Sequence, residues 1–351
     1  MKCECENWRS SVFAMSNRAT NSVSAFAGDA CGALRFVEER VTAGSGTAEA
    51  IVDPLGSQGA LALDGTGRFL FAVNAGNNTV SSFRVKRGDM TLASVLPSGG
   101  VRPVSVAISG NLLYAVNAGD ANNAANVSGF SVDESGVLSP IPGSTMPLSM
   151  SNPQPACAVF SPDGRRLAVS ERNTNFLIVF TVEPGGLLSN AVVTVSNGAV
   201  PFGMAFTRCG ILLVTEAGPN ALSSYQVLDG NALEVISGSV PNNQGATCWV
   251  SATPDGYYAY TSNAATGTIS LYRVANDGGL TLIESVPSTP LLNGAPIDSA
   301  IDACGEHLYV LNGAQGSISA FRIGCEGHPR LIQIYEDTSL PEIGAQGLAA
   351  R

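Results

Sequence analysis

The sequence predicts an all-β protein, a seven-bladed β-propeller, and three observations carry that expectation. An apolar-aromatic phrase recurs seven times, each copy is flanked by short turn-bounded runs, and the end of the chain repeats text that the first copy lacks. The copies are FAMSNRATNSVSAF from Phe13, FAVNAGNNTVSSF from Phe71, YAVNAGDANNAANVSGF from Tyr114, LAVSERNTNFLIVF from Leu167, LVTEAGPNALSSY from Leu213, YTSNAATGTISLY from Tyr260 and YVLNGAQGSISAF from Tyr309. In all but the third, an Asn or Glu stands nine residues before the closing aromatic; the third carries a four-residue insertion between Asn117 and Phe130. The spacing from Asn17 to Asn312 averages about 49 residues per unit, a propeller-type period.

Each unit reads as four strands in order. The run PACAVF passes through the type I turn text SPDGR into RLAVSE; IVFTV follows a polar loop, and the Gly-rich turn EPGG introduces the fourth run. Four antiparallel runs at a fixed period describe a propeller blade, and the lack of long stretches with helical periodicity argues against an α/β layout. The first unit begins at its second strand, while the terminal PEIGAQGLAAR copies PLGSQGALAL of the second unit. Residues Ala345 to Ala350 are therefore expected to supply the missing inner strand of blade one, closing the ring and leaving no free edge. The whole chain reads as one domain: blade one 8–45 plus 342–351, blade two 55–98, blade three 101–146, blade four 153–197, blade five 199–241, blade six 244–289 and blade seven 294–341. A repeat array reaches 351 residues as one body because each unit packs mainly on its neighbours.

Composition narrows the partners. Charged residues are 13% of the chain, the formal charge is −10, and Lys2 and Lys86 are the only lysines, so no basic stripe could neutralise a phosphate backbone. Nucleic acid is not expected as a partner. No apolar run is long enough to cross a bilayer, so no membrane is expected, and MKCECENWRSSVF lacks the apolar segment of a signal peptide, which read literally predicts a cytosolic start. A monomer acting on a small molecule, with neither cofactor nor metal, is the resulting expectation.

Cysteine qualifies the compartment. Cys304 in the first turn of blade seven and Cys325 in its third turn emerge on the same face, and Cys31 holds the third-turn place in blade one, where Cys3 or Cys5 could fill in for the absent first turn. Two disulfides at corresponding places would indicate an oxidising compartment and secretion. The alternative is that Cys-Gly merely replaces Asp-Gly in turns, as in Cys209-Gly210.

The phrases GSQGALAL, NAGNNTVSSFRV, RPVSV, PFGMAF, TCWV, APIDSA, LNGAQGSISAFR and GAQGLAA together resemble the seven-bladed lactonase-like propellers with YVTN-type repeats, which include 6-phosphogluconolactonases and carboxymuconate lactonising enzymes, and within them a 3-carboxymuconate cyclase-like branch. The resemblance spans essentially the whole chain and implies lactone chemistry at the central channel. Where those enzymes carry a His-Pro-Arg-His type motif followed by Glu, this chain has Gln154-Pro155-Ala156-Cys157 and then Glu171 with Arg172 beside it. His307 and His328, the two histidines, fall at turns, so a His-centred acid/base mechanism is disfavoured.

Two rings of residues hold the candidates. The residue two after the inner-strand Pro or its equivalent is expected to face the channel, giving Ala60, Ser105, Cys157, Gly203, Trp249, Asp298 and Leu348. Trp249 and Asp298, with Ser105, Cys157, Gln154 and Arg102, form the candidate ligand-binding set; the competing reading is that Trp249 plugs the channel and Cys157 is an inert buried thiol rather than a nucleophile. The second ring is Asn17, Asn74, Asn117, Glu171, Glu216, Asn263 and Asn312. An Asn at a strand end ordinarily caps the next turn, whereas a carboxylate cannot donate the amide's hydrogen bonds, so Arg172, a ligand or a cation would have to satisfy it.

Glu171 or Glu216 as general base and Arg172 as holder of a substrate carboxylate make the candidate catalytic set for hydrolysis or formation of a small carboxylated lactone. A phosphorylated sugar lactone is the least expected substrate, because only Arg102 and Arg172 lie near inner strands. The alternative function is a non-catalytic ligand-binding or surface-interaction propeller, presenting loops such as DANNAANVS and, if secreted, the sequons at Asn77 and Asn126.

Overall fold

A computed structural model describes residues 10–86, 88–150, 152–336 and 339–351. Burial follows position in the blade: in Arg166–Glu171 and its counterparts nearly every side chain is buried, as expected of strands covered on both faces, whereas an outer strand such as Leu188–Val195 buries only Leu188 and leaves the rest half-buried or exposed. Blade four consists of Pro155–Phe160, Arg166–Glu171, Phe176–Val182 and Leu188–Val195, hydrogen-bonded in chain order and antiparallel throughout. The inner strands of the other blades are Leu61–Leu63, Pro103–Ser109, Pro201–Phe206, Thr247–Ala252, Pro296–Ile301 and Leu348–Ala350, giving seven sheets. Blade three differs at its rim, where the outer position is split between Leu138–Pro140 and Met146–Pro147, both paired to Asn126–Val132. Among the described residues the single helical turn is Cys325–Gly327, and no helix is long and apolar enough to cross a membrane.

The ring closes as the repeated text implies. Ser11–Met15 pairs with Leu348–Ala350 through Val12 opposite Ala350, Phe13 opposite Ala349 and Ala14 opposite Leu348, and Ser11 and Arg351 exchange backbone bonds of 2.8 and 2.9 Å. The recurring aromatics are the core: Phe26, Phe83, Phe130, Phe180, Tyr225, Tyr272 and Phe321 are each at most 1% exposed. Burial of each contributes about 2–3 kcal/mol, so the repetition in the sequence is the repetition of the packing between blades. Tyr114 and Tyr260 add polar stitches, donating to the carbonyls of Gly186 and Gly327 in the following blade.

The disulfide expectations are corrected. Cys304 is disulfide-bonded whereas Cys325 is a free thiol, so the two are not paired with each other; Cys3 and Cys5 lie outside the described residues. Cys325 and Cys31 are free, exposed thiols. The turn carrying Cys325 instead docks on blade six, through Gly327 and Tyr260.

A recess at the channel mouth

Every inner strand starts on one face of the disc, and there the connections from blade to blade converge. In five blades the residue just before the inner strand holds a left-handed backbone: Arg102 (φ 56°), Gln154 (φ 50°), Val200 (φ 59°), Ala246 (φ 54°) and Ala295 (φ 46°). Four of these precede Pro, which disfavours the right-handed helical region there, and each such non-Gly residue costs about 1 kcal/mol that the surrounding ring must offset.

The segment leading into blade two crosses the channel and closes it. Ser57 donates its hydroxyl to Val104 O at 2.7 Å, and Gln58 N–H reaches Ala156 O at 2.8 Å. The Gln58 amide then spans to Met204 O and accepts from Val250 N–H, both at 2.9 Å. Trp249 donates its indole N–H to Ser57 O at 2.9 Å and packs edge-on against Phe202 at 5.1 Å. Trp249 is 2% exposed, so it is part of a stopper, and its indole face is not presented to a ligand. Gly203 is required beneath it, because a Cβ there would lie 2.2 Å from Gln58 Oε1 and 2.6 Å from Cys248 O.

The remaining channel-ring residues are buried under this stopper. Ser105 accepts Ala158 N–H, Ala60 and Leu348 pack in the core, and burial pushes the Cys157 thiol up to about 12, far from a usable thiolate. Asp298 is buried too, with Oδ2 accepting Gly347 N–H at 2.9 Å; burial, reinforced by the nearby charge of Asp53, pushes its carboxyl up to about 8.

Above the stopper lies a half-buried charged group. Arg172 donates Nε–H to Gln154 O at 3.4 Å and stacks its guanidinium 5.5 Å above the Phe202 ring. It lies against Gly56, whose positive φ of 62° and missing side chain leave room for it. Among the described residues, neither terminal nitrogen of Arg172 has a hydrogen-bond partner. Asp53 supplies the opposing charge and accepts from Gly56 N–H at 2.9 Å and Gln346 Nε2 at 2.6 Å. Burial raises the Asp53 carboxyl to about 6, with Arg172 the largest opposing influence. Arg102 is half engaged at the rim, donating to Pro54 O at 2.9 Å and lying 3.6 Å from Glu49. Cys248, buried beside Asp53 and Arg172, has its thiol raised to about 12, chiefly by burial.

Glu171 and Glu216 do not join this group. Both are 0% exposed and occupy the sockets that Asn fills in other blades. Asn74 and Asn263 donate their amide hydrogens to hydroxyls five and seven residues on, Thr79 and Ser81, Thr268 and Ser270, at 2.8–3.0 Å. Around Glu216 the polarity reverses: Ser196, Ser223 and Tyr225 hydroxyls and Gly198 N–H approach Oε1 at 2.8–3.3 Å, and the Ser239 hydroxyl reaches Oε2 at 2.5 Å. Glu171 accepts from Ser149 N–H at 2.9 Å, from the Ser149 hydroxyl and from Thr174 at 2.6 Å. The expectation that Arg172, a ligand or a cation must satisfy these carboxylates is therefore corrected: hydroxyl groups, able to donate or accept, turn to suit them.

Asp53, Gln346, Phe202 and Cys248, gathered around Arg172, escape the sequence reading. One signal was present, since Gln58 of GSQG and Gln346 of GAQG stand at matching places in the two copied phrases. Each sends its amide across blades. His307 and His328 lie elsewhere, paired with Asp302 at 2.8 Å and Glu284 at 2.6 Å in or beside turns at the opposite ends of the strands. Among the described residues no three His, Cys, Asp or Glu side chains converge as a metal site.

The sequence model of the lactonase seven-bladed β-propeller family matches residues 21–160 and 237–333. Among solved structures, a provisionally named 6-phosphogluconolactonase from Bacteroides fragilis superposes with a TM-score of 0.78 at 18% identity, covering 98% of each chain. The periplasmic gluconolactonase of Pseudomonas aeruginosa gives 0.75 at 17% identity, over 97% of this chain and 99% of its own. Virginiamycin B lyase from Staphylococcus aureus is more distant, at 0.57 and 14% identity over 83% of this chain and 87% of its own. No curated protein matches the chain.

Proposed function

The chain belongs to the seven-bladed lactonase β-propeller family, and from that premise we propose that it hydrolyses a small carboxylated lactone in the recess, with Asp53 as general base and Arg172 as anion receptor. One observation carries the reading: a guanidinium stacked on Phe202, its terminal nitrogens without a hydrogen-bond partner among the described residues, faces the charge of a carboxylate raised by burial to about 6. A base titrating near 6 is largely ionised at neutral pH yet retains proton affinity, the compromise that general-base catalysis favours.

In this scheme Asp53 takes a proton from water as the oxygen adds to the lactone carbonyl. The ring C–O bond then breaks, the proton passes from Asp53 to the departing alkoxide, and the product is an open hydroxy acid. Arg172 pairs with the substrate carboxylate and, by the same charge, favours the developing oxyanion. The neighbours named for gluconolactone and 6-phosphogluconolactone support a sugar-acid lactone ring, and Arg172 favours one that keeps a second carboxyl group outside the ring. A phosphorylated one fits poorly, because Arg102 is already engaged by Glu49 and Pro54 and leaves Arg172 without a convergent second cation. The competing reading, a binding propeller without catalysis, draws on the lack of any histidine at the mouth.

Turnover of glucono- and muconolactones, followed by acid release, separates the two. Expected outcomes are hydrolysis by the parent, a loss of about 100-fold in kcat for Asp53→Asn, and a raised KM for carboxylated but not uncarboxylated lactones in Arg172→Met. Saturable binding of these lactones to the parent without turnover would favour the binding propeller.

A further inference from the structure

Gln346 belongs to the C-terminal segment yet performs its polar work 293 residues away. It is wholly buried, and every side-chain atom capable of hydrogen bonding is directed at the blade-two approach segment. Nε2 donates to Asp53 Oδ1 at 2.6 Å and to Ser57 O at 2.7 Å, while Oε1 accepts Leu55 N–H at 2.8 Å. Its own N–H reaches Met15 O at 3.2 Å, and the next residue, Gly347, donates to Asp298. The two residues just before the ring-closing strand Leu348–Ala350 thus each hold one carboxylate, Gln346 that of Asp53 and Gly347 that of Asp298.

We propose that Gln346 is a positioning residue: its amide fixes the orientation of Asp53 and holds it in the ionised form that can accept a proton. The catalytic meaning of this rests on the lactone reading above; the physical claim does not. The groups that bear on Asp53 are Arg172 from blade four, Asp298 from blade seven, Cys248 from blade six, and the N–H groups of Gly56 and Ser57 on its own segment. Arg172 and these N–H groups favour the charge, Asp298 and Cys248 oppose it when ionised, and burial opposes it throughout. A carboxylate in such a balance is sensitive to one neutral donor at 2.6 Å. An acceptor bond from a carbonyl could not replace it, so the amide nitrogen must face Asp53 while Oε1 takes Leu55 N–H, and swapping the two would leave both partners unsatisfied.

The experiment is carboxyl-carbon NMR on the full chain labelled at aspartate, with the Asp53 signal assigned by its loss in Asp53→Asn. In Gln346→Leu, which keeps the bulk and removes the donor, the Asp53 midpoint rises by about one pH unit, and any acid limb of the lactone rate moves with it. An unmoved midpoint in a cooperatively folded Gln346→Leu overturns the proposal. If that variant does not fold, the Gln346 side-chain amide signals of the parent decide: an inflection at the Asp53 midpoint supports the contact, and a pH-independent amide overturns it. A shifted midpoint in a protein that hydrolyses no lactone would sink the functional reading and leave the positioning role standing.

Discussion

Replacing Asp298 with Asn should make the protein's stability less dependent on pH, in a direction that follows from burial. Asp298 is 3% exposed, and its carboxyl is raised to about 8 from an ordinary 3.8. Because the folded pKa lies above the unfolded one, the folded state retains a proton through that window that the unfolded chain has released. Stability therefore falls as pH rises from about 4 and levels off once the folded carboxyl has ionised, with a slope of up to about 1.4 kcal/mol per pH unit. Over the full window this amounts to ~5 kcal/mol, an upper bound because a buried site relaxes when it charges. Asn is neutral throughout and nearly isosteric, so its substitution adds at most a constant offset from the amide it places in the socket. Urea unfolding of parent and Asp298→Asn at intervals from pH 5 to 9 reads the difference directly. The variant should gain on the parent by roughly 1 kcal/mol per unit between pH 5 and 8. A difference that stays flat would mean that the bond from Gly347 already holds Asp298 ionised, refuting the argument that burial dominates.

Gly203→Ala should lose about 2–3 kcal/mol in thermal or urea unfolding, because the added Cβ meets a Gln58 side chain fixed at both ends and the Cys248 carbonyl. Glu216→Gln should cost about 1 kcal/mol with little change in lactone turnover, since the amide oxygen still meets Gly198 N–H and the Ser239 hydroxyl can turn to accept, leaving mainly the loss of hydrogen bonds to a charged acceptor; a larger effect on rate than on stability would return Glu216 to the chemistry. Thiol titration of the native protein should find Cys31, Cys209 and Cys325 reactive, and Cys157 and Cys248 silent until the chain unfolds; early labelling of Cys157 would contradict its burial.

The fold was legible because it is written locally and repeatedly. The nine-residue step from Asn or Glu to a closing aromatic marks the end of one strand and the core position of the next, and the copied terminal phrase marks ring closure. Arg172 and Arg102 were legible as sparse charges beside inner strands, and both reach the mouth segment. Asp53 was not, because its significance comes from Arg172 and Gln346, which are remote in sequence and brought near only by closure of the ring. The two glutamates misled for a different reason. Their exceptional identity in the Asn ring is real, but a serine or threonine hydroxyl reverses its polarity without any signature in the sequence, so a carboxylate socket and an amide socket read alike. The cysteines show the same limit: turn position gives proximity on a face, yet Cys304 is disulfide-bonded while Cys325, in the turn on the same face of its blade, is a free thiol.

The stopper of Ser57, Gln58 and Trp249 has a kinetic consequence. A propeller threaded by an open bore could take in a ligand on one side and discharge it on the other, whereas Gln58 and Trp249 tie the blade-two segment across the inner strands of blades five and six and obstruct that route. Whatever enters beside Arg172 must back out past it. If the proposed lactone hydrolysis holds, the open hydroxy acid carries one more carboxylate than the lactone it came from and would leave against the pull of that guanidinium, so the proposal expects departure of product, rather than ring opening, to limit turnover.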